Sequence, residues 1–221
     1  MNVCDALVER KSTRAFLDKP VDKSLINKIL ESASHAPSGT NTQPWQVVVV
    51  TGETKQKLQQ QLEAEYRSGA ESRIAYHYYP QQWKSPYKER RLACGLQLYS
   101  TLKIKREDKQ KQLDARARNF RAFDAPVMLL FFIDKVMEAG SYMDYGMFLQ
   151  SIMLAAVEQG LATCPQAVLA EYPDIVKQQL GFNDDRILLC GMSLGYEDKD
   201  AIINSYRTPR EAVDKFTQFF D

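Results

Sequence analysis

Histidine is nearly missing from this chain: His35 and His77 are the only two in 221 residues, and no HExxH or HxxxH pattern occurs. A metal site built on imidazole therefore has little to work with, and none is expected. The four cysteines, Cys4, Cys94, Cys164 and Cys190, contain no CxxC pair. That excludes a cysteine-rich zinc site and a disulfide scaffold. Scattered thiols of this kind predict buried, unpaired cysteines in a reducing cytoplasm. The ten glycines form neither GxGxxG nor GxxxxGK followed by Ser or Thr, so a Rossmann dinucleotide site and a P-loop are unsupported. An excess of one charge is lacking too. Lys+Arg is 29 against 28 Asp+Glu, a net charge of +1 that suits no general nucleic-acid binder. The longest apolar run, residues 125–133, falls far short of the roughly 20 residues that a spanning helix needs. The opening residues MNVCDALVERKSTRAF carry no apolar signal-peptide core. A soluble, cytoplasmic protein without membrane or nucleic-acid partners is expected.

What remains is an ordinary globular composition, 44% hydrophobic and 26% charged. A chain this long can bury on the order of 70% of its unfolded surface. Helical spacing is read over residues 5–10, 22–34, 53–66, 92–102, 107–120, 143–160 and 173–180. Strands are read at 45–51, 126–134, 164–169 and 187–195, and the unbroken apolar runs of the first two predict burial on both faces. Residues 67–91 are irregular and aromatic, and 211–220 form an amphipathic tail. No repeat, linker or low-complexity tract divides the chain. Interleaved helices and strands predict one α/β or α+β domain over 1–221. Phe216, Phe219 and Phe220 in the tail need a cover, for which a partner subunit is a plausible place.

Two features invite a functional reading that the rest of the chain does not support. Gly191-Met192-Ser193-Leu194-Gly195 matches the GxSxG nucleophile elbow, but no histidine follows residue 77 to complete a triad. A strand end in which glycines permit close packing is the better account. Residues 84–121 carry twelve basic and four acidic side chains, net +8. This reads as a solvated helical face or as a funnel for an anionic substrate or nicotinamide cofactor.

The chemistry gathers elsewhere. Arg10-Lys11-Ser12-Thr13-Arg14 packs three cations and two hydroxyls into five residues, a set that reads either as a phosphate clamp or as surface charge. The loop Pro37-Ser38-Gly39-Thr40-Asn41-Thr42-Gln43-Pro44-Trp45 offers donors for a planar polar heterocycle. Arg207-Thr208-Pro209-Arg210 adds two cations. Arg10-x-Ser12-x-Arg14-x-Phe16 followed by Ala36-Pro37-Ser38-Gly39-x-Asn41-x-Gln43-Pro44-Trp45 resembles the FMN-dependent nitroreductase family. Asp144-x-Gly146-x-x-x-Gln150, Gly160-Leu161 and the segment 191–210 extend the resemblance over nearly the whole chain. Tyr79-Pro80-x-x-Trp83-x-x-Pro86-Tyr87 and residues 204–210 resemble the subgroup of nitrobenzoate and nitroaromatic-herbicide reductases.

The resemblance implies an α+β sandwich, a mostly antiparallel central sheet flanked by helices, in an intertwined homodimer with two FMN sites at the interface. By position, Arg10, Lys11, Ser12 and Arg14 would hold the phosphate and pyrimidine side of FMN, joined at the phosphate by Arg207 and Arg210. Pro37, Ser38 and Asn41, with Gln43, would come from the partner chain, and Gln150 would add a polar contact. Pro165, Gln166 and Ala167 would lie along one flavin face and offer backbone N–H groups toward N5. Many relatives carry an acidic residue near the position of Gln166, so this chain departs from them there.

The implied activity is NAD(P)H-dependent reduction of nitroaromatic or quinone-like acceptors, by ping-pong hydride transfer through flavin N5, with NADPH or NADH as donor. A cation near N1, Arg14 or Lys11, would favour the reduced flavin. The flavin does the chemistry, so no catalytic side chain is required. Other chemistries on this scaffold are reductive dehalogenation, enone reduction and breakdown of FMN itself, and a non-catalytic flavin-binding dimer is a further alternative. Tyr79, Trp83, Tyr87, Phe120 and Phe123 are candidates to stack on a small aromatic acceptor; packing beneath a long loop accounts for them equally well.

Overall fold

The computed structural model describes residues 1–220. In chain order, the described residues form α1 (Val3–Glu9), α2 (Lys23–Ala33), β1 (Gln46–Val50), α3 (Gly52–Arg67), α4 (Tyr87–Thr101), α5 (Lys109–Ala117), β2 (Val127–Asp134), α6 (Ala139–Glu158), β3 (Ala162–Gln166), α7 (Pro173–Leu180) and β4 (Arg186–Gly195). Local chemistry explains several boundaries. Asn2 caps α1 by accepting the Asp5 N–H. Pro173 opens α7, and Gly181, left-handed at φ +71°, closes it.

The sheet order is β1-β2-β4-β3, and every pairing within it is antiparallel. Alternation along β2 splits the core in two. Val127, Leu129, Phe131 and Ile133 face α2 and α6, alongside Ile29, Phe148 and Ile152. Met128, Leu130 and Phe132 face the opposite side, with Leu58, Leu62, Phe120, Tyr172 and Val176. This is the expected α+β sandwich. No helix is long and apolar enough to cross a membrane among the described residues.

Four expectations need correction. β1 is not buried on both faces: it is the edge strand, and Val49 is 40% exposed. An edge position leaves one side of the strand without a neighbour, which composition does not reveal. Cys164 and Cys190 are buried, but Cys4 and Cys94 lie exposed on α1, which buries only Ala6, and on α4, which buries no side chain. The predicted strand at 164–169 is displaced, because Ala162 and Thr163 already pair with β4 and a 3-10 turn takes over at Ala167–Ala170. The predicted helix at 107–120 is shorter, passing at Arg118 into a 3-10 stretch that runs to Asp124.

The GxSxG segment lies inside β4, and Ser193 is fully buried. A Cβ built on Gly191 would stand 2.9 Å from Leu169 Cβ and 3.1 Å from the Leu129 carbonyl oxygen. The glycine is therefore a packing requirement. Gly191→Ala is expected to lower stability by about 1–3 kcal/mol, read by thermal denaturation.

Candidate cofactor and acceptor site

Residues 10–14 form no helix. Ser12 bridges in parallel to Thr163 of β3, and the Thr13 N–H donates to the Thr163 carbonyl at 3.0 Å. Extended chain sends successive side chains to opposite sides. Arg10, Ser12 and Arg14 fall on the side of Cys164, whose thiol burial pushes up to about 11 against the pull of Arg14, Ser12 and Arg10. Lys11 points the other way. Its Nζ lies 2.6 Å from Glu197 and donates to the Asn204 carbonyl at 2.8 Å. With Thr13 it lines a separate cavity of about 500 Å³. The side chain of Lys11 is thus not part of the cluster that the sequence alone places around Arg10, which keeps only its backbone.

Arg10 faces Arg210 and Arg207. Burial, then Arg210, then Arg207 hold its guanidinium below the ordinary arginine range. Its Nε is buried with no hydrogen-bond partner. Arg207 donates to the carbonyls of Val8 and Glu9 and, at 3.3 Å, to that of Arg10. Arg210 folds onto Thr208 Oγ1 at 2.9 Å. No carboxylate is ion-paired with Arg10, Arg14, Arg207 or Arg210 among the described residues. Three of these guanidinium groups, those of Arg10, Arg207 and Arg210, gather with no counter-charge and call for an anion from outside the chain.

Arg14 donates from Nη1 to the Ser12 carbonyl at 3.2 Å and to Tyr206 Oη at 3.5 Å. It shares a cavity of about 210 Å³ with Tyr99, Asn119, Phe123 and Ile203. Asn204, to which the sequence reading gave no role, holds this segment in place. Its Oδ1 accepts the Arg14 N–H at 2.8 Å, and its Nδ2 donates to the carbonyls of Ala15 and Asp198.

Pro165, Gln166 and Ala167, at the end of β3, line a second cavity of about 380 Å³ with Tyr76, Tyr79 and Glu171. Two details revise expectation. Proline has no N–H, so only Gln166 and Ala167 can offer one. The Gln166 side chain is turned into the protein: Nε2 donates to the Asn119 carbonyl at 2.9 Å, and Oε1 accepts from Ser193 Oγ at 2.5 Å. Asn119 lines both this cavity and the one beside Arg14.

The five aromatic candidates separate. Tyr79 lines the second cavity, and Trp83 packs against it at 5.6 Å between ring centroids. Arg91 stacks over the outer side of Trp83. Phe123 lines the Arg14 cavity instead. Tyr87 is exposed at the start of α4, away from these linings. Phe120 is fully buried between Tyr66 and Tyr172, at centroid distances of 4.8 and 5.5 Å. It is core, not an acceptor wall, because the turn that follows it reverses the direction of Phe123. In that turn Ala122, Phe123 and Asp124 all take left-handed φ values of 51°, 52° and 62°. Such a run costs of order 1–3 kcal/mol per residue. The Ser193 hydroxyl, its one proton shared between Gln166 Oε1 and the Ala122 carbonyl, and Arg121 on Asp124 at 2.8 Å help to hold it.

The 37–43 loop is strained in the same way, with Thr40, Asn41 and Gln43 at φ 48°, 59° and 47°. Ser38 Oγ accepts the Gln43 N–H at 2.9 Å, and Asp144 on α6 accepts the Gly39 N–H at 3.1 Å. Pro37, Asn41 and Gln43 are exposed, and Gln150 is half-buried further along α6. No hydrogen bond or ion pair joins this loop to Arg10–Arg14 among the described residues. One chain therefore presents two separate parts of the set.

The basic stretch 84–121 is mostly a solvated face, its lysines all exposed, and some of its arginines are ion-paired. Arg90 pairs with Glu211, Arg116 with Glu171, and Arg121 with Glu63 and Asp124.

Known proteins carry the same framework. The 4-nitrobenzoate reductase of Pseudomonas putida is 40% identical over 216 residues, covering 97% of this chain and 94% of that protein. The crystal structure of the FMN and NADPH-dependent nitroreductase NfnB from Sphigopyxis sp. strain HMH superposes with a TM-score of 0.97 at 40% identity, covering all of both chains. The FMN-dependent nitroreductase NfnB of Mycobacterium smegmatis, solved in complex with NADPH, superposes at 0.93 with 32% identity over all of both chains. The sequence pattern of the nitroreductase family matches residues 7–196, a span that holds both the extended Arg10–Arg14 segment and the strained loop. Pattern, full-length identity and superposition agree: this chain belongs to the nitroreductase family.

Proposed function

We propose that the protein is an NAD(P)H-dependent FMN oxidoreductase that reduces nitroaromatic or quinone-like acceptors. The observation that carries this reading is the uncompensated cluster of Arg10, Arg207 and Arg210, with the orphaned, buried Nε of Arg10. A phosphate monoester, with a charge of about −2, answers that cluster in both charge and acceptor count. The chain's donor set fits FMN in kind: cations at one end, a guanidinium further along, and a strand end lined by an open cavity. The names of the relatives point the same way.

When bound, FMN supplies hydride transfer at N5, and the chain's own residues bind, orient and enclose. Arg10, Arg207 and Arg210 hold the phosphate, with Ser12 as a short donor. Arg14 would serve the pyrimidine side, where its charge would favour the electron-rich form. Gln166 and Ala167 turn backbone toward the ring, and Pro165 packs beside them. Tyr79, backed by Trp83, offers a face for an aromatic acceptor, a contact of about 0.5–1.5 kcal/mol.

The working form in this reading is a homodimer with two sites at the interface. The partner supplies Pro37, Asn41 and Gln43, which lie exposed here, with the half-buried Ser38, and Gln150 adds a polar contact. Exposed apolar side chains support the assembly: Val3, Leu7 and Val8 on α1, Leu92 and Leu96 on α4, and Phe216, Phe219 and Phe220 in the tail. The cysteines are all unpaired, which suits a reducing cytoplasm.

The test is the visible spectrum of the purified protein, before and after anaerobic NADPH and then after a nitroaromatic. A flavin band that bleaches and recovers is expected. A protein that takes up no FMN refutes the reading. Arg14→Ala is expected to weaken FMN binding about tenfold, the loss of one charge-assisted contact of about 1.5 kcal/mol, read by fluorescence titration.

A further inference from the structure

We propose that Glu171 donates the proton consumed when an acceptor is reduced in the cavity beside Gln166 and Ala167. The inference rests on the flavoenzyme reading and adds a side-chain acid to it. The stoichiometry requires one. In the first step NADPH, a proton and Ar–NO2 give NADP⁺, Ar–NO and water. The nicotinamide C–H bond breaks, its electron pair reduces the nitrogen, one N–O bond breaks, and the oxygen leaves as water. In the second step NADPH, a proton and Ar–NO give NADP⁺ and Ar–NHOH. Each step takes up one proton that the hydride does not bring.

The cavity wall holds few groups able to provide it. Burial pushes the hydroxyls of Tyr76 and Tyr78 up, which makes them poor donors near neutral pH. His77 is on the wall but exposed to solvent. Glu171 is on the wall and enclosed, its side chain 17% exposed. Burial holds its carboxyl above the ordinary carboxylate range, against the pull of Arg116.

Its placement is firm. The 3-10 turn Ala167–Ala170, buried at Leu169 and Ala170, carries it directly from the end of β3. The Arg73 N–H donates to its carbonyl at 2.7 Å. Arg116 of α5 lies 3.2 Å from its carboxylate and stabilises the charge left after transfer. Tyr66 of α3 and the adjacent Tyr172 are the other titratable neighbours. The remaining exposure gives the carboxylate a route to take up a proton again from solvent.

The test compares two acceptors of the reduced holoenzyme by stopped flow. Ferricyanide takes electrons and no proton; nitrobenzene needs both. For Glu171→Gln, reoxidation by nitrobenzene is expected to slow about 100-fold, with bleaching by NADPH and reoxidation by ferricyanide within twofold of wild type. Glu171→Asp keeps the acid and is expected within tenfold. In the flavin-free wild type, carbon-13 NMR is expected to place the Glu171 carboxyl midpoint above that of an ordinary glutamate. Unchanged reoxidation by nitrobenzene, an equal loss with ferricyanide, or an ordinary or lower midpoint overturns the proposal. A protein that NADPH does not bleach, in wild type and variant alike, overturns the flavoenzyme reading itself. If Glu171→Gln does not fold, the wild-type midpoint and Glu171→Asp still decide.

Discussion

Arg10→Ala is expected to weaken FMN binding on the order of 100-fold while making the flavin-free protein more stable. The two effects share one cause. In the free protein Arg10 is partly buried, faces Arg210 and Arg207, has no carboxylate partner, and leaves Nε without an acceptor. Each of these raises the free energy of the folded, unliganded state. Alanine removes the like-charge contacts and the orphaned donor together. In the proposed reading the same removal deletes a charge-assisted contact to the phosphate, worth up to about 3 kcal/mol, or roughly 150-fold in affinity. Wild type, by contrast, should be strongly stabilised by added FMN, because only the folded state can collect the three guanidinium groups around one anion. Thermal unfolding with and without FMN, alongside a fluorescence titration, checks both halves. A variant less stable than wild type without flavin would mean that Arg10 is structural, and that its orphaned Nε is satisfied by other means.

Phe120→Ala is expected to cost about 3–5 kcal/mol of stability and to leave the affinity of the folded fraction for FMN and for acceptor nearly unchanged. The residue is fully buried, stacked between Tyr66 and Tyr172, in the core layer that also holds Leu58, Leu62 and Phe132. Truncation there opens a cavity that the sheet on one side and α3 on the other cannot close. For a chain of this length, a loss of that size lowers Tm by about 6–20 °C. Tyr79→Ala should behave in the opposite way. The residue is 60% exposed and lines the cavity proposed for the acceptor, so stability is expected within about 0.5 kcal/mol of wild type, with the KM for a nitroaromatic raised severalfold. Calorimetry and steady-state kinetics on the two variants would separate core from site. A Phe120→Ala protein with unaltered Tm and a raised KM would reverse that assignment.

Much of this was legible in the chain itself. The apolar runs of β2 and β4 and the helical spacing of α2, α6 and α7 each bury a face by local arithmetic. The absence of a histidine after residue 77 was enough to dismiss the GxSxG segment, and the fully buried Ser193 agrees. The density of cations at 10–14 and 207–210 was visible too, but by itself it read equally as a phosphate clamp or as surface charge.

Direction is what the sequence by itself did not determine. Lys11 lies between Arg10 and Ser12 in the chain, yet it pairs with Glu197 in another cavity, because the segment runs extended beside Thr163, some 150 residues away. Phe120 and Phe123 differ by three positions and enter different environments because a left-handed turn intervenes. Gln166 lines a cavity while its side chain is turned inward and held by Asn119 and Ser193. Val49 is exposed because β1 has a strand on one side only. In each case the residue type was visible in one dimension. Which neighbour it meets depends on the long-range pairing of elements, and short-range propensity carries no record of that.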